Sequence, residues 1–158
     1  MRALLALLLA GGLALAAAAE PVSGPAPDFA LTTLDGRKVS KESLRGKVVV
    51  VDFWATWCAP CVWEIPHFVK LQEKYGADGL VVLGVSLDRK DAAYVRAWAE
   101  KRRVNYLLAM GDDALVEAFG GFEAIPTTFL IDRAGNLRHR KTGAMAAEEY
   151  EAIVRAAL

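Results

Sequence analysis

Two almost uninterrupted apolar segments, 48–53 and 80–85, constrain the fold of this chain most strongly. Runs of this kind are typical of strands that are covered on both faces of a sheet, because a strand with one wet face alternates apolar and polar residues. Segments with apolar residues at helical spacing alternate with the strands, at 61–75, 91–103, 114–119 and 150–158. The alternation predicts one α/β domain with a mostly parallel central sheet.

Two further pairs of short strands are predicted from turn signals. Residues 29–32 and 37–39 flank Asp35-Gly36, a strong hairpin signal, and so predict an antiparallel hairpin before the first buried strand. Residues 127–131 are apolar and are followed, after a short turn, by a strand over 137–141. A turn this short indicates that these last two strands are antiparallel neighbours.

The first nineteen residues have the form of a secretory signal peptide. Arg2 precedes an apolar run over 3–18, and the three alanines that end at Ala19 suit a cleavage site. An uncleaved N-terminal anchor over 3–19 is the alternative, because the run approaches the length that crosses a bilayer. Either alternative predicts an exported protein, in the periplasm or on the extracytoplasmic face of a membrane. The Pro- and Gly-rich segment 20–27 is then predicted to be a linker, and 28–158 the folded domain.

Composition excludes several classes of protein. With 54% hydrophobic and 24% charged residues, the chain is neither disordered nor fibrous. Its 19 acidic and 19 basic residues balance, and Lys and Arg form no cluster that could neutralise phosphates. We therefore expect no nucleic acid among its partners. We also expect the protein to be a monomer.

The two cysteines, Cys58 and Cys61, stand directly after the first buried strand and open a helix. A structural zinc site needs four ligands, and His67 lies more than one helical turn beyond Cys61, so we expect no metal. A structural disulfide across so small a ring would constrain the unfolded chain little. The pair is therefore interpreted as a redox-active disulfide that needs no other cofactor.

The helix start gives the two cysteines different environments. Cys58 is placed at the exposed end, where free amide groups and the helix dipole stabilise a thiolate. Cys61, one turn later, lies on the apolar face that Ile65 and Phe68 continue, and is predicted to be buried and protonated. Cys58 is thus predicted to be the nucleophile and Cys61 the residue that resolves the mixed disulfide.

Residues 48–61, which end in Trp-Cys-Ala-Pro-Cys, and 124–132, which contain Ile-Pro-Thr, resemble the thioredoxin-fold oxidoreductases. The Pro-Ala-Pro-Asp-Phe lead, the hairpin and the extra strand–helix unit around 80–105 resemble the TlpA/ResA-like branch. The resemblance covers about residues 25 to 158. It implies a three-layer thioredoxin-like fold, with a central mixed sheet flanked by helices, an N-terminal β-hairpin and an extra βα unit.

The resemblance also implies roles for residues around the dithiol. Ile125 and Pro126 match the cis-proline loop, whose backbone pairs with substrate; a trans proline opening an edge strand is the alternative. Asp52 matches the aspartate that relays the proton of the second cysteine, and Glu64 an active-site glutamate of ResA-like proteins. Each acid has a structural alternative: a strand-end aspartate that reaches solvent, and a solvated helix glutamate.

The tryptophans are less constrained than the acids. Trp54 and Trp57 are interpreted as shielding the dithiol or, equally, as core residues. Trp63 is less expected on this helix and suggests a contact with a partner. His67 and His139 are assigned to the solvated surface.

The function predicted from these features is reduction of disulfides in client proteins. Pro60 removes one amide donor near the Cys58 thiolate, so the reduced form is less stabilised and gives up its electrons more readily. The TlpA/ResA resemblance implies clients in cytochrome c maturation or copper-site assembly, and a membrane electron donor that re-reduces the dithiol. The alternatives are a thiol oxidase of folding proteins and a Cu(I) metallochaperone that uses the soft thiolates. A peroxidase is disfavoured, because Cys58 lacks the Pro-x-x-x-Thr-x-x-Cys setting of peroxiredoxins.

Overall fold

The computed structural model describes residues 20–158, so the predicted signal peptide or anchor over 1–19 lies outside the described residues. The strands in these described residues are β1 (Glu20–Pro25), β2 (Ala30–Thr32), β3 (Lys38–Ser40), β4 (Val48–Trp54), β5 (Leu80–Ser86), β6 (Leu107–Met110), β7 (Thr127–Ile131) and β8 (Asn136–Thr142). The α-helices in the same part of the chain are α1 (Ala59–Tyr75), α2 (Ala92–Lys101), α3 (Asp113–Ala118) and α4 (Ala147–Ala157). Within residues 20–158 no helix has the length and apolar character needed to span a bilayer.

Six of the strands form one mixed sheet in the order β1-β8-β7-β4-β5-β6. The half made of β4, β5 and β6 is parallel, and the half made of β7, β8 and β1 is antiparallel. This confirms the mixed sheet implied by the resemblance, whereas the apolar pattern alone overestimated the parallel part. The reason is that β7, although antiparallel to β4, is buried along its whole length and so has the same uninterrupted apolar pattern.

The predicted linker over 20–27 is wrong for most of its length. Residues 20–25 form β1, which pairs antiparallel with β8 at the edge of the sheet, with a register irregularity between Pro21 and Gly24. Prolines are tolerated in an edge strand, because a missing N–H on the outer side breaks no ladder hydrogen bond. Ala26, which follows β1, is buried in the core. The Pro/Gly-rich composition therefore marks an irregular edge strand.

Strand β6 was missing from the sequence prediction. It extends the parallel half of the sheet by pairing with β5, Leu83 lying opposite Leu107. Its four residues are too few to show a period, and they follow the charged end of α2. The predicted hairpin is confirmed as β2 and β3, which form a separate two-stranded sheet joined to β6 through a bridge between Thr33 and Ala109.

Alternation along β4 sorts its side chains onto two faces of the sheet. Val49, Val51 and Phe53 pack with the hairpin and α3. On the opposite face, Val48 and Val50 pack against α1 and α4. Because successive strand side chains point to opposite faces, residue 52 lies on the side covered by α1 and α4. The result is three layers, with the strand end that precedes α1 leading directly to the two cysteines.

Candidate active site

The two cysteines form a disulfide at the start of α1. Cys58 is the N-cap residue, and the Cys61 N–H donates to Cys58 Sγ at 3.3 Å. Pro60 stands in the first turn between them and has no N–H to offer. Cys58 is 5% exposed and Cys61 is fully buried, so Cys58 is the more accessible sulfur, although it is more enclosed than the sequence predicted.

The loop that leads into β7, the strand beside β4, reaches the disulfide. The Ile125–Pro126 peptide bond is cis, as predicted from the resemblance. The Ile125 carbonyl oxygen lies 3.7 Å from Cys58 Sγ, which as a disulfide sulfur carries no hydrogen to donate. The motif over 124–132 and the dithiol motif, far apart in sequence, thus meet at one sulfur.

The tryptophans around the dithiol divide between core and surface. Trp54 is 1% exposed and packs in the cluster that contains both cysteines, with its ring centroid 5.3 Å from that of Trp98. Trp57 is 70% exposed beside Cys58. Trp63 is also exposed, and its ring meets that of His67 edge-on. Trp54 therefore covers the disulfide from inside, whereas Trp57 and Trp63 are open to other molecules.

Asp52 is buried on the face of the sheet that α1 and α4 cover. Its exposed fraction is 1%, and the hydroxyl oxygen of Thr128, opposite it on β7, is hydrogen-bonded to Oδ1 at 3.1 Å. Burial raises the pKa of Asp52 well above its usual value, and the nearby charge of Glu64 raises it further. The structural alternative of an aspartate that reaches solvent is therefore wrong, and the group favours its neutral form.

Glu64 is fully buried, so the structural alternative of a solvated helix glutamate is wrong. It projects from α1 against the segment that opens α4: the Met145 N–H donates to Oε1 at 2.6 Å and the Tyr150 hydroxyl donates to the same oxygen at 2.8 Å. Burial raises the pKa of Glu64 to about 7, against the opposing effect of these hydrogen bonds and of Lys141. Helical spacing from Cys61 placed Glu64 correctly along the helix, but α4 supplies the cover.

Two residues that the sequence did not single out connect the acids. The Thr128 hydroxyl contacts Asp52, and the Tyr150 hydroxyl contacts Glu64. The two hydroxyl oxygens lie 3.0 Å apart. Tyr150 was recognised only as an apolar position of the C-terminal helix, and Thr128 only as part of a strand. The signal that could have identified these two residues is a hydroxyl group, of a phenol or an alcohol, at a position that faces a buried carboxyl group.

Comparison with known proteins agrees with this geometry. Residues 22–140 match the AhpC/TSA family. The chain belongs to that family. The thioredoxin-like protein YneN of Bacillus subtilis is 38% identical over 80% of this chain and 74% of its own length. The thiol-disulfide oxidoreductase ResA of Geobacillus thermodenitrificans is 34% identical over 84% of this chain and 76% of its own.

A solved structure extends the comparison to three dimensions. The thiol:disulfide interchange protein of Chlorobium tepidum, a thioredoxin family protein, superimposes with a TM-score of 0.77 at 34% identity, over 89% of this chain and 99% of its own. This AhpC/TSA family member is therefore a thiol-disulfide oxidoreductase of the ResA type with a thioredoxin-like fold. The predicted resemblance, fold class and enzyme class are confirmed.

The loop that carries Trp57 into the site of this oxidoreductase is held by a residue that the sequence analysis missed. Asp88, just after β5, accepts hydrogen bonds from the Thr56 N–H at 2.8 Å and the Thr56 hydroxyl at 2.6 Å. Ser86 donates to the same carboxylate at 2.8 Å. The loop before Cys58 is thus fixed to the end of the neighbouring parallel strand.

The arrangement is suited to thiol–disulfide exchange at Cys58. The sulfur is reachable from outside, a backbone N–H points at it, and a backbone carbonyl from the cis-proline loop lies beside it. Within residues 20–158 no cluster of three or more His, Cys, Asp or Glu side chains could hold a metal ion. The disulfide itself is the redox group that the described residues contain.

Proposed function

We propose that this oxidoreductase is exported and reduces disulfides in client proteins, with Cys58 as the nucleophile and Cys61 as the resolving residue. The observation that carries the proposal is the sparse stabilisation of Cys58 Sγ. Cys61 supplies an N–H at 3.3 Å, and Pro60 leaves the position between them without a donor. An oxidant needs a strongly stabilised reduced form, and a weakly stabilised thiolate favours the opposite direction.

Clients are proposed to dock on the surface formed by Trp57, Ile125 and Pro126. Trp57, the residue before Cys58, offers a large exposed ring, and the Ile125 carbonyl oxygen lies 3.7 Å from Cys58 Sγ. An extended client segment that pairs with the Ile125 backbone would bring its disulfide to Cys58 Sγ, in the manner of an added strand. Trp54 supports this surface from the core side.

The location and the clients are proposed from the sequence. The apolar run over 3–18 and the small residues before Glu20 support export, with release into the periplasm or anchoring at the membrane by residues 3–19. The TlpA/ResA resemblance supports clients in cytochrome c maturation or copper-site assembly and a membrane electron donor. In this role the protein acts as a monomer.

Equilibration with glutathione tests the direction of electron flow. We expect a reduction potential nearer to that of thioredoxin, about −270 mV, than to that of a strong oxidant at about −120 mV. Pro60→Ala restores an N–H near Cys58 Sγ and is expected to raise the potential. A value above about −180 mV for the unaltered protein would place it among the oxidants.

Trapping identifies the clients and the compartment. Cys61→Ser leaves the attacking thiol but removes the one that releases the client, so mixed disulfides should accumulate in the exported fraction of the expressing cells. The matched control is the double variant Cys58→Ser/Cys61→Ser, which should trap nothing. Mixed disulfides confined to the cytoplasmic fraction would contradict export without touching the redox assignment. Tight Cu(I) binding by a dithiol that is redox-inert would favour the metallochaperone instead.

A further inference from the structure

Four polar side chains form a continuous series of contacts between two buried acids, one of which, Glu64, lies one helical turn after the equally buried Cys61 on α1. Asp52 Oδ1 lies 3.1 Å from the Thr128 hydroxyl, which lies 3.0 Å from the Tyr150 hydroxyl, which lies 2.8 Å from Glu64 Oε1. Asp52 and Thr128 come from neighbouring strands of the sheet, Tyr150 from α4 and Glu64 from α1. All three distances are within hydrogen-bonding range.

The number of available hydrogens limits the protonation states of these four side chains. Three contacts need three hydrogens, and the two hydroxyl groups supply one each. If both acids were ionised, both hydroxyls would have to donate outward, and the contact between Thr128 and Tyr150 would join two lone pairs. A proton on one of the carboxyl groups supplies the third hydrogen, and all three hydrogen bonds then run in the same direction from one acid to the other. The geometry is therefore complete when the two acids hold one proton between them.

The contacts of Glu64 indicate where that proton rests. Oε1 accepts from both the Met145 N–H and the Tyr150 hydroxyl, so the third hydrogen of the series comes from Asp52 Oδ1 at the other end. Orientation then runs from a protonated Asp52 through Thr128 and Tyr150 to Glu64. Glu64 Oε2 is buried and has no hydrogen-bond partner among the described residues, so this oxygen is free to carry a second proton.

We propose that Thr128 and Tyr150 are positioning residues that join Asp52 and Glu64 into a single proton-sharing unit, and that this unit receives the Cys61 proton in the resolving step. The inference rests on the proposed role of Cys61 as the resolving residue. Under this proposal neither Asp52 nor Glu64 is the base by itself, because a proton that enters at one acid is passed through the hydroxyls to the other.

In the resolving step Cys61 closes the disulfide with Cys58 and releases the client. Cys61 Sγ attacks Cys58 Sγ in the mixed disulfide, forming the Cys58–Cys61 bond and breaking the bond between Cys58 and the client sulfur. The electron pair of the broken bond leaves with the client thiolate, which takes a proton from water. The Cys61 proton passes to the acid pair, which then holds two. Over both steps the client disulfide gains two electrons and the dithiol loses two.

Other titratable groups face this unit from the elements packed around it. Lys141 on β8 lies opposite Thr128, is nearly buried, and lowers the pKa of Glu64 by its charge. His139 lies two residues earlier on the same strand face, and Tyr106 directly precedes β6, its pKa raised by burial and by both acids. The positive charge of Lys141 thus favours one negative charge on the two acids. Two carboxyl groups that share one proton carry one negative charge.

The decisive variants remove a hydroxyl and keep the rest of the side chain. The resolving step is followed in single turnover with a mixed disulfide between Cys58 and a small aromatic thiol, so that no client is needed. Tyr150→Phe should slow thiol release about tenfold near neutral pH, because both acids remain but no longer share a proton, a smaller loss than the 10²–10⁴ of removing a base outright. Thr128→Val should give a similar loss, and Thr128→Ser, which keeps the hydroxyl, should restore the rate.

The matched control is Tyr75→Phe. Tyr75 also packs against the core beneath α1 and also donates to a glutamate, Glu151 at 2.6 Å, but lies outside the chain of contacts. We expect its resolving step to match that of the unaltered protein. Equal rates for Tyr150→Phe, Tyr75→Phe and the unaltered protein would overturn the proposal, and so would a Thr128→Ser variant as slow as Thr128→Val.

Carboxyl ¹³C NMR tests proton sharing without any turnover. In the oxidised protein the Asp52 and Glu64 signals should change together, with common apparent pKa values, because the shared proton belongs to the pair. Tyr150→Phe should separate the two titrations. Independent titrations in the unaltered protein would refute the proton-sharing unit while leaving the assignment of Cys58 and Cys61 intact, whereas a failure of Cys61→Ser to trap clients would reject that assignment alone.

Discussion

The two sulfurs of the disulfide face regions built on opposite physical principles. On the open side, the exposed residue Trp57 precedes Cys58 in the chain, and the carbonyl oxygen of Ile125 lies beside the Cys58 sulfur. Its polar contacts are backbone groups, which carry no net charge and do not titrate. This side can bind varied partners, because backbone pairing and an exposed aromatic ring demand little of the partner's sequence.

The buried side, behind Cys61, contains the ionisable groups instead. Asp52 and Glu64 are both inaccessible to solvent, and burial raises the pKa of each. Burying carboxyl groups costs stability unless they are hydrogen-bonded or neutral. The difference teaches that the two sulfurs of one bond have unlike surroundings, exposed and uncharged at Cys58, buried and titratable on the side of Cys61. In the proposed function this separates recognition of partners from proton transfer.

Removing either sulfur gives the largest contrast between the sides. Cys58→Ser should abolish attack on a client disulfide, because the buried thiol of Cys61 cannot reach it. Cys61→Ser should retain the first attack and stop at the mixed disulfide. Alkylation of the reduced, unaltered protein at mildly acidic pH, followed by peptide mass spectrometry, should label Cys58 first. Preferential labelling of Cys61 would reverse the roles of the two sides.

Substituting the buried acids should affect only the resolving step. Asp52→Asn and Glu64→Gln should each slow it about 100-fold, at the lower end of what a general base contributes, with the first attack within about twofold of normal. The losses should be similar, since Glu64 is as buried as Asp52. The double variant should lose little more than either single variant, because the acids act as a unit. Losses that multiply in the double variant would show two independent bases.

Truncating the exposed ring should affect only binding. Trp57→Ala should raise KM for a protein client about tenfold, as loss of an aromatic anchor does, and leave the resolving step unchanged. Trp63→Ala is the matched control, since Trp63 is also exposed but makes an edge-on contact with His67 along the helix. Steady-state kinetics on both variants measures the difference. An equal rise in KM for the control would extend the client surface along α1.

The open side was largely predictable from the sequence, and the buried side was not. The dithiol at a strand–helix junction and the Ile-Pro-Thr motif are local patterns, and each located its residues correctly. The burial of Glu64 depends on the Met145 segment and α4, more than 80 residues away along the chain, so a helical wheel of α1 could only place it beside Cys61.

The missed elements have the same cause. Strand β1 looked like a linker because its prolines and glycine obey the rules of an edge strand, and only pairing with β8 shows that an edge exists. Asp88 fixes Thr56 across two parallel strands, a contact set by sheet order. Local propensity is read from the sequence, whereas the contacts that cover and connect the acids are set by the tertiary arrangement.

The smallest expected effect is on stability, and its sign distinguishes the two kinds of carboxyl group in this protein. A raised folded-state pKa means that the fold prefers the protonated acid, so the stability is fully present below the unfolded pKa near 4 and is lost as pH rises; for Glu64 this loss continues up to about 7. The Asp52→Asn variant cannot ionise at this position, so it should be more stable than the unaltered protein at pH 8, by about 1 kcal/mol, with the difference shrinking below pH 4.

Asp35, whose pKa is lowered by its hydrogen bonds to Arg37 and Thr33, is the control with the opposite sign. Asp35→Asn should lose stability relative to the unaltered protein at neutral pH, and this loss should shrink toward acid pH. Urea unfolding of the oxidised proteins between pH 3 and 8 measures all three. A pH profile of Asp52→Asn parallel to that of the unaltered protein would mean that Asp52 is ionised in the fold, and the buried side would then hold two negative charges beside Cys61.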